Sequence, residues 1–385
     1  MNILLDFIPF QEAGGVGGAA GFTQAITNAI LNYQQARHTF YAVCDSRMGV
    51  GRLIDYQAFA REHNIILQDV AKTSLATIVQ QNNIDIFLIF IGQFYKNYAL
   101  QNISCRTIVF IHDIFDIERN DNLIDLSIYD KNKDSLWLQA KRYINIFSKR
   151  WEKQTQQGYK NIIALCQQTT TTLYTVSNYT KNALEYYFPE IKNEIKVCCS
   201  PLREAPQTEA IENEALRQLI LSGKPFLLLL AANRRYKNAR NLLKVFPRLK
   251  RRFSDLHLLT LKYGSIIDAQ HIDIPFLSDA DLQNAYRHAH ALVFPSFFEG
   301  FGYPPVEAMR YGTPTIAANV TSIPEVLANA AIYFSPFYPA DIYKAAVQIL
   351  ENKDVLKEQL RCRYTEIIDR QNSDLARFLA DVFNQ

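Results

Sequence analysis

Residues 294–309 (FPSFFEGFGYPPVEAM) carry two glutamates, Glu299 and Glu307, separated by seven residues that include Gly300, Gly302, Pro304 and Pro305. The apolar run at 291–295 before them reads as a strand, and a helix follows that ends at Gly312. Proline at the first helical positions and glycine after the last turn fix those boundaries. Glu299 then lies in the loop and Glu307 on the first turns of the helix. The amides of Phe301, Gly302 and Tyr303 point to where phosphate or sugar oxygens are received. A pair of carboxylates is also the equipment of a glycosidase. Here amides and nearby cations favour an anionic ligand, which leaves the two carboxylates as acceptors of hydroxyl hydrogen bonds.

Those cations stand at 233–238 (NRRYKN), between the apolar strand at 226–231 and a helix at 242–249. Arg234, Arg235 and Lys237 gather positive charge at a helix entrance, where the macrodipole also favours phosphate. On a solvated helix the same cluster is an ordinary charged face. Its place after a core strand makes it a phosphate clamp. Earlier in the chain, Gly14 to Gly18 (GGVGG) follows the first strand and opens a helical run, so it is either a plain tight turn or a backbone loop that approaches an anion. His112 and Asp113 end the run RTIVFI at 106–111. A polar pair at the carboxyl end of a strand suits an imidazole that orients substrate; the alternative is Asp113 capping a turn while His112 bonds to backbone. Asp279 and Asp281 form a literal DxD after Ser278, at a helix start where acidic residues are capping and dipole partners, and this favours capping over a metal.

The elements that must position these residues alternate along the chain. β-rich runs recur at 2–8, 40–44, 84–91, 107–111, 162–166, 172–176 and 195–199, with helix-length segments between several of them. After the polar stretch 200–223 they resume at 226–231, 256–261, 272–276, 291–295, 313–317 and 331–334. Such alternation predicts parallel sheets covered by helices. At 385 residues the chain exceeds one typical core, so two domains are expected. The expected division is an N-terminal Rossmann-like domain at 1–200, a linker at 201–223, a C-terminal Rossmann-like domain at 224–365 and a closing helix at 366–385 that packs back on the first domain. Open α/β sheets bind ligands beyond the carboxyl ends of their strands, so the two domains are expected to face each other across a cleft.

A net charge of +3 gives no reason to expect nucleic acid as partner. Six scattered cysteines offer no metal-ligand spacing and read as buried thiols of a reducing cytosol. The apolar start at 1–10 carries Asp6 and no basic leader, which reads as a first strand rather than a signal peptide. No segment offers ~18 uninterrupted apolar residues, as a membrane span would require. The expectation is a cytoplasmic protein.

The stretch 276–325 resembles the donor domain of the glycosyltransferases of family four, which have the GT-B fold. The likeness extends to Lys237 and Asn238, to the first-loop GGVG at Gly14 to Gly17, to His112 and Asp113, and to the Ser177–Asn178 turn, and so spans most of the chain. It implies that Glu307 holds the ribose hydroxyls and Glu299 those of the donor sugar. Phe301, Gly302 and Tyr303 place amides on sugar and diphosphate, and Lys237 neutralises the diphosphate with either Arg234 or Arg235. Phe276 and Leu277 lie beside the nucleobase, His112 touches the transferred sugar, and Gly15 and Val16 bring backbone close to the phosphates. The chain departs from the family at Ala231 and Ala232, where a Gly-Arg pair is frequent, at Gly18 in place of a basic residue, and at Pro275 in place of a glycine.

The activity implied is hexosyl transfer from a UDP or GDP sugar with retention of configuration, in surface-polysaccharide or glycoconjugate synthesis. No metal and no cofactor are required, because cations and amides carry the leaving diphosphate. The acceptor is a glycan or a lipid-linked glycan. Residues 120–153, with Trp137, Lys141, Arg142, Tyr143, Lys149, Arg150 and Trp151, form either a basic face for peripheral contact with an anionic membrane or a packed helix with its lysines in water. Two other readings share the fold, a GT-B epimerase or phosphorylase and a silent glycan-binding or partner-stabilising subunit. The presence of Glu299, Glu307 and Lys237 argues against the silent one.

Overall fold

A computed structural model describes residues 1–11, 18–34, 37–51, 54–121, 150–202 and 210–383. The chain forms two compact units, one built from Met1–Glu118, Asn145–Arg203 and Asp369–Gln385, the other mainly from Glu204–Ile368.

The first unit holds strands β1 (Asn2–Asp6), β2 (Thr39–Cys44), β3 (Ile66–Asp69), β4 (Ile86–Ile89), β5 (Arg106–Ile111), β6 (Thr171–Thr175) and β7 (Ile195–Val197). They make one sheet in the order β3-β2-β1-β4-β5-β6-β7, and every pairing is parallel. The inner strands are nearly unbroken apolar runs, such as IFLI in β4 and TIVFI within β5. A parallel sheet is covered on both faces, and such runs are what that burial demands. Leu4 lies in register with Tyr41 on one side and Phe87 on the other.

The second unit holds β8 (Phe226–Leu229), β9 (His257–Leu261), β10 (His271–Ile274), β11 (Ala291–Phe294), β12 (Thr315–Ala318) and β13 (Ala331–Phe334), parallel throughout, in the order β10-β9-β8-β11-β12-β13. Strand order reverses between β8 and β11, which lie side by side with Leu228 opposite Leu292. Connections leave these two strands in opposite directions, so a crevice opens beyond their carboxyl ends. The loops that leave them are 230–238 and 295–302.

Several elements differ from the sequence-based expectation. Residues 162–166 are not a strand but the end of the helix Arg150–Cys166, whose buried Ile162, Ile163, Leu165 and Cys166 form its inner face. A short apolar run does not by itself distinguish a strand from a buried helix end. The edge strand β3 (ILQD) escaped notice because it is polar and only partly buried. The stretch assigned to a linker contains the helix Glu214–Leu221, capped by Asn213, whose Leu216 and Leu219 join the core of the second unit with Phe226.

The closing helix begins at Lys357 and runs unbroken to Phe383. Its first part belongs to the second unit, where Arg363 donates to the carbonyls of Val326 and Glu325. From Asp369 it belongs to the first unit. There buried Asp374 accepts from the Cys199 amide at 2.8 Å, Asp381 accepts from Tyr174 and Lys196, and Phe378 packs against Phe110 and Tyr174.

Cys44, Cys105, Cys166, Cys198 and Cys199 are buried, whereas Cys362 is exposed on the last helix, contrary to the expectation of six buried thiols. Among the described residues no helix is long and apolar enough to cross a membrane.

Candidate functional site

The loop after β8 is shaped by two residues with left-handed backbone, Ala231 at φ 50° and Asn238 at φ 57°. Asparagine tolerates that region because its side chain bonds locally. Here its Nδ2 donates to the Pro336 carbonyl at 2.9 Å, which pins the entry to the helix Ala239–Arg252. Between these points Arg235–Lys237 makes a single 3₁₀ turn. The turn sends Lys237 inward, where it is 8% exposed, and leaves Arg234 and Arg235 at the surface. The ammonium pairs with the Glu299 carboxylate and stands 4.8 Å from the centre of the Phe294 ring. An enclosed ammonium needs an anion or an aromatic face, and Lys237 has both. Arg234 donates to the Tyr236 hydroxyl at 3.1 Å.

The loop after β11 joins it directly, because the Phe297 amide donates to the Tyr236 carbonyl at 2.8 Å. Phe297, Phe298 and Phe301 are buried and anchor the segment. The Glu299 amide donates to Thr321 Oγ1 at 3.1 Å, and Ser322 Oγ donates to the carbonyls of Glu299 at 2.9 Å and Phe301 at 3.3 Å. Gly302 has φ 95°, a conformation that L side chains rarely adopt, and starts the helix Tyr303–Met309. Pro304 and Pro305 have no N–H. Phe301, Gly302 and Tyr303, just before the prolines, each carry a backbone N–H at this turn. Glu307, one turn on, accepts from the Tyr286 hydroxyl at 2.7 Å through Oε2.

Beyond β10, Phe276 is 51% exposed while Leu277 is buried in the core of the unit. The Phe276 ring is open to solvent, whereas the Leu277 side chain is committed to the core. Asp279 and Asp281 stand in the first turn of the helix Asp279–His288, whose Ser278 cap accepts from the Asp281 amide. Asp281 itself accepts from the amides of Glu212 and Asn213. The Ser278 contact is a helix cap, and the Asp281 carboxylate ties this helix to the segment before the helix Glu214–Leu221.

In the first unit His112 follows β5 directly, with its ring edge-on to Phe22, 4.4 Å between centroids, and Nε2 at 3.0 Å from the Phe90 carbonyl. A carbonyl only accepts, so Nε2 carries the hydrogen. Burial pushes the imidazole down to about 4. The ring is neutral near pH 7, and Nδ1 keeps a lone pair for a hydroxyl donor. Asp113 caps the following turn by accepting from the Phe115 amide at 3.1 Å, as the alternative reading of the pair had it. Gly15 and Val16 lie outside the described residues, as does most of 120–153.

Four residues were given no such task by the sequence alone. Tyr286 orients Glu307 from 21 positions away, and Thr321 and Ser322 hold the Glu299 backbone. In the first unit, buried Asp6 accepts from the Tyr95 hydroxyl and the amides of Ile8, Phe90 and Ile91. Burial pushes its carboxyl up to about 7 against the pull of those bonds. Of these, Asp6 alone left a trace in sequence, as a charged residue in an apolar run.

The chain is similar to known proteins in sequence and in fold. Residues 211–366 match the family model of the Glycosyl transferases group 1. A stretch of 100 residues is 39% identical to the serotype-specific mannosyltransferase WbdA of Escherichia coli, covering 26% of this chain and 12% of that protein. Another of 61 residues is 46% identical to the O-antigen chain mannosyltransferase B of Escherichia coli, covering 16% of each. The chain thus aligns with only a small part of these relatives. A crystal structure of Anabaena Alr3699/HepE in complex with UDP and glucose superposes over 99% of this chain and 100% of that one, with a TM-score of 0.65 at 13% identity. The fold is GT-B, and the chain resembles the glycosyltransferases of family four.

Proposed function

We propose that this chain is a retaining hexosyltransferase that moves a sugar, mannose before others, from a nucleoside-diphosphate donor to a hydroxyl of a glycan or lipid-linked glycan in surface-polysaccharide synthesis. The observation that carries the reading is the enclosed Lys237–Glu299 pair between the two loops of the β8/β11 crevice, with Glu307 on the next turn. A cation, a row of amides and two carboxylates oriented from behind suit a ligand that is anionic at one end and rich in hydroxyls at the other. The names of the aligned relatives favour mannose, and the O-antigen chain named for one of them favours a polysaccharide acceptor.

In this reading the diphosphate takes Lys237, with Arg234 or Arg235 closing from the surface, and the amides of Phe301, Gly302 and Tyr303 spread its charge as it departs. Glu299, released from Lys237, accepts from sugar hydroxyls. Glu307 accepts from the ribose and Phe276 stacks beside the base. His112, neutral and with Nδ1 bare, accepts from a hydroxyl of the transferred sugar. The acceptor hydroxyl attacks from the face the diphosphate leaves, and a phosphate oxygen takes its proton, so configuration is retained without a protein nucleophile. Lys237 and the amides supply the charge a divalent ion would otherwise bring.

The test is release of nucleoside diphosphate from GDP-mannose and from a panel of UDP sugars in the presence of EDTA, with and without an oligosaccharide acceptor. Acceptor-stimulated release from one donor is expected. Donor binding with no release for any acceptor would identify a silent subunit instead.

A further inference from the structure

Thr321 has φ 52°. A β-branched residue in that region is a genuine outlier, and glycine would adopt it freely. Strain of this kind persists where the surroundings demand it, and it gathers at functional sites. What the side chain does is specific, since Thr321 Oγ1 accepts from the Glu299 amide at 3.1 Å. The next residue, Ser322, is fully buried, and its hydroxyl donates to the Glu299 carbonyl at 2.9 Å and to that of Phe301 at 3.3 Å. Two successive side chains therefore hold both peptide groups of one residue. They stand in the turn after β12, the strand paired with β11, and contribute no charge of their own. Held this way, the Glu299 side chain has its direction set, and it meets Lys237.

We propose that Thr321 and Ser322 are positioning residues that fix the Glu299 carboxylate for the hydroxyls of the donor sugar, and that a strained threonine stands where glycine would fit because its hydroxyl is needed there. The inference rests on the reading of Glu299 as a sugar-binding group. It separates two properties that usually fall together. Glycine at 321 relaxes the backbone and frees the Glu299 amide, so stability holds while use of the sugar suffers.

The experiment compares the full chain with Thr321→Gly and Thr321→Ser for thermal stability, affinity for the free nucleoside diphosphate, and kcat and KM with the nucleotide sugar that the wild type turns over. Thr321→Gly is expected to melt no lower than wild type and to bind the diphosphate equally, with kcat/KM lower by roughly tenfold, the equivalent of one hydrogen bond. Thr321→Ser keeps the hydroxyl and should keep the rate. Should Thr321→Gly fail to fold, Thr321→Val decides, since it preserves shape and removes the acceptor, and it must lose activity where Thr321→Ser does not. Wild-type kcat/KM in Thr321→Gly, or equal losses in the serine and glycine variants, overturns the inference alone. A wild type that neither binds nor turns over any nucleotide sugar overturns the proposed function, and this inference with it.

Discussion

Replacing Lys237 by methionine keeps most of the length of the side chain and its apolar stem while it removes the charge. Glu299 is then left without its cation in a setting where the two side chains are only 10% and 12% exposed. Removing one partner of a fully buried pair costs roughly 3–5 kcal/mol. The residual exposure lets water recover part of that, so a cost of about 2–3 kcal/mol is expected. For a unit of this size each kcal/mol moves the melting point by about 2–4 °C, so the transition of the second unit should fall by roughly 4–12 °C. Glu299→Gln should cost less, about 1–2 kcal/mol, because the stranded ammonium still faces the Phe294 ring. The double variant should recover about half of the summed loss, with a coupling of about 2 kcal/mol. Calorimetric melts of the four proteins without ligand measure this cycle. Single variants that melt within about 1 °C of wild type, or losses that simply add, would refute the placement of the pair inside the site.

The His112 imidazole, at about 4, lies below the ordinary value of 6.5. The folded state therefore binds fewer protons than the unfolded chain between those values, and the contribution of this group is complete above about pH 6.5, shrinks as pH falls and is lost by about pH 4. The stability difference between wild type and His112→Gln, which cannot titrate, should fall by up to about 3 kcal/mol from pH 7 to pH 4 in urea melts; a difference independent of pH would contradict the buried neutral ring. Asp374→Ala removes a buried acceptor of the Cys199 amide and the carboxylate paired with Arg370 and Arg377, and should destabilise the first unit by roughly 2–3 kcal/mol. Unchanged proteolytic resistance of the last helix in that variant would count against its role as the anchor.

The two parallel sheets were legible because burial on both faces writes long apolar runs into sequence. That same property misassigned 162–166, where the inner face of a helix reads like a strand, and hid the polar edge strand Ile66–Asp69. The loop with Glu299 and Glu307 was legible because glycine, proline and acidic residues have local reasons for their spacing. The division of labour among Arg234, Arg235 and Lys237 was not, since one short turn decides which cation faces inward. Tyr286, Thr321 and Ser322 escaped for a related reason. Each is ordinary in its own segment and acquires a task only when the chain brings another strand or helix against it.

The anchor formed by Asp374 and Asp381 also sets an order of events during synthesis. The Cys199 amide waits for a carboxylate 175 positions later, and Arg106 for a carbonyl 275 positions later. At about 5–20 residues per second the ribosome needs roughly 10–35 s to deliver Asp374 after Cys199, and within that interval it makes nearly all of the second unit. A chain released early lacks those partners however complete its first sheet is. The sheet begun first is the last to be latched.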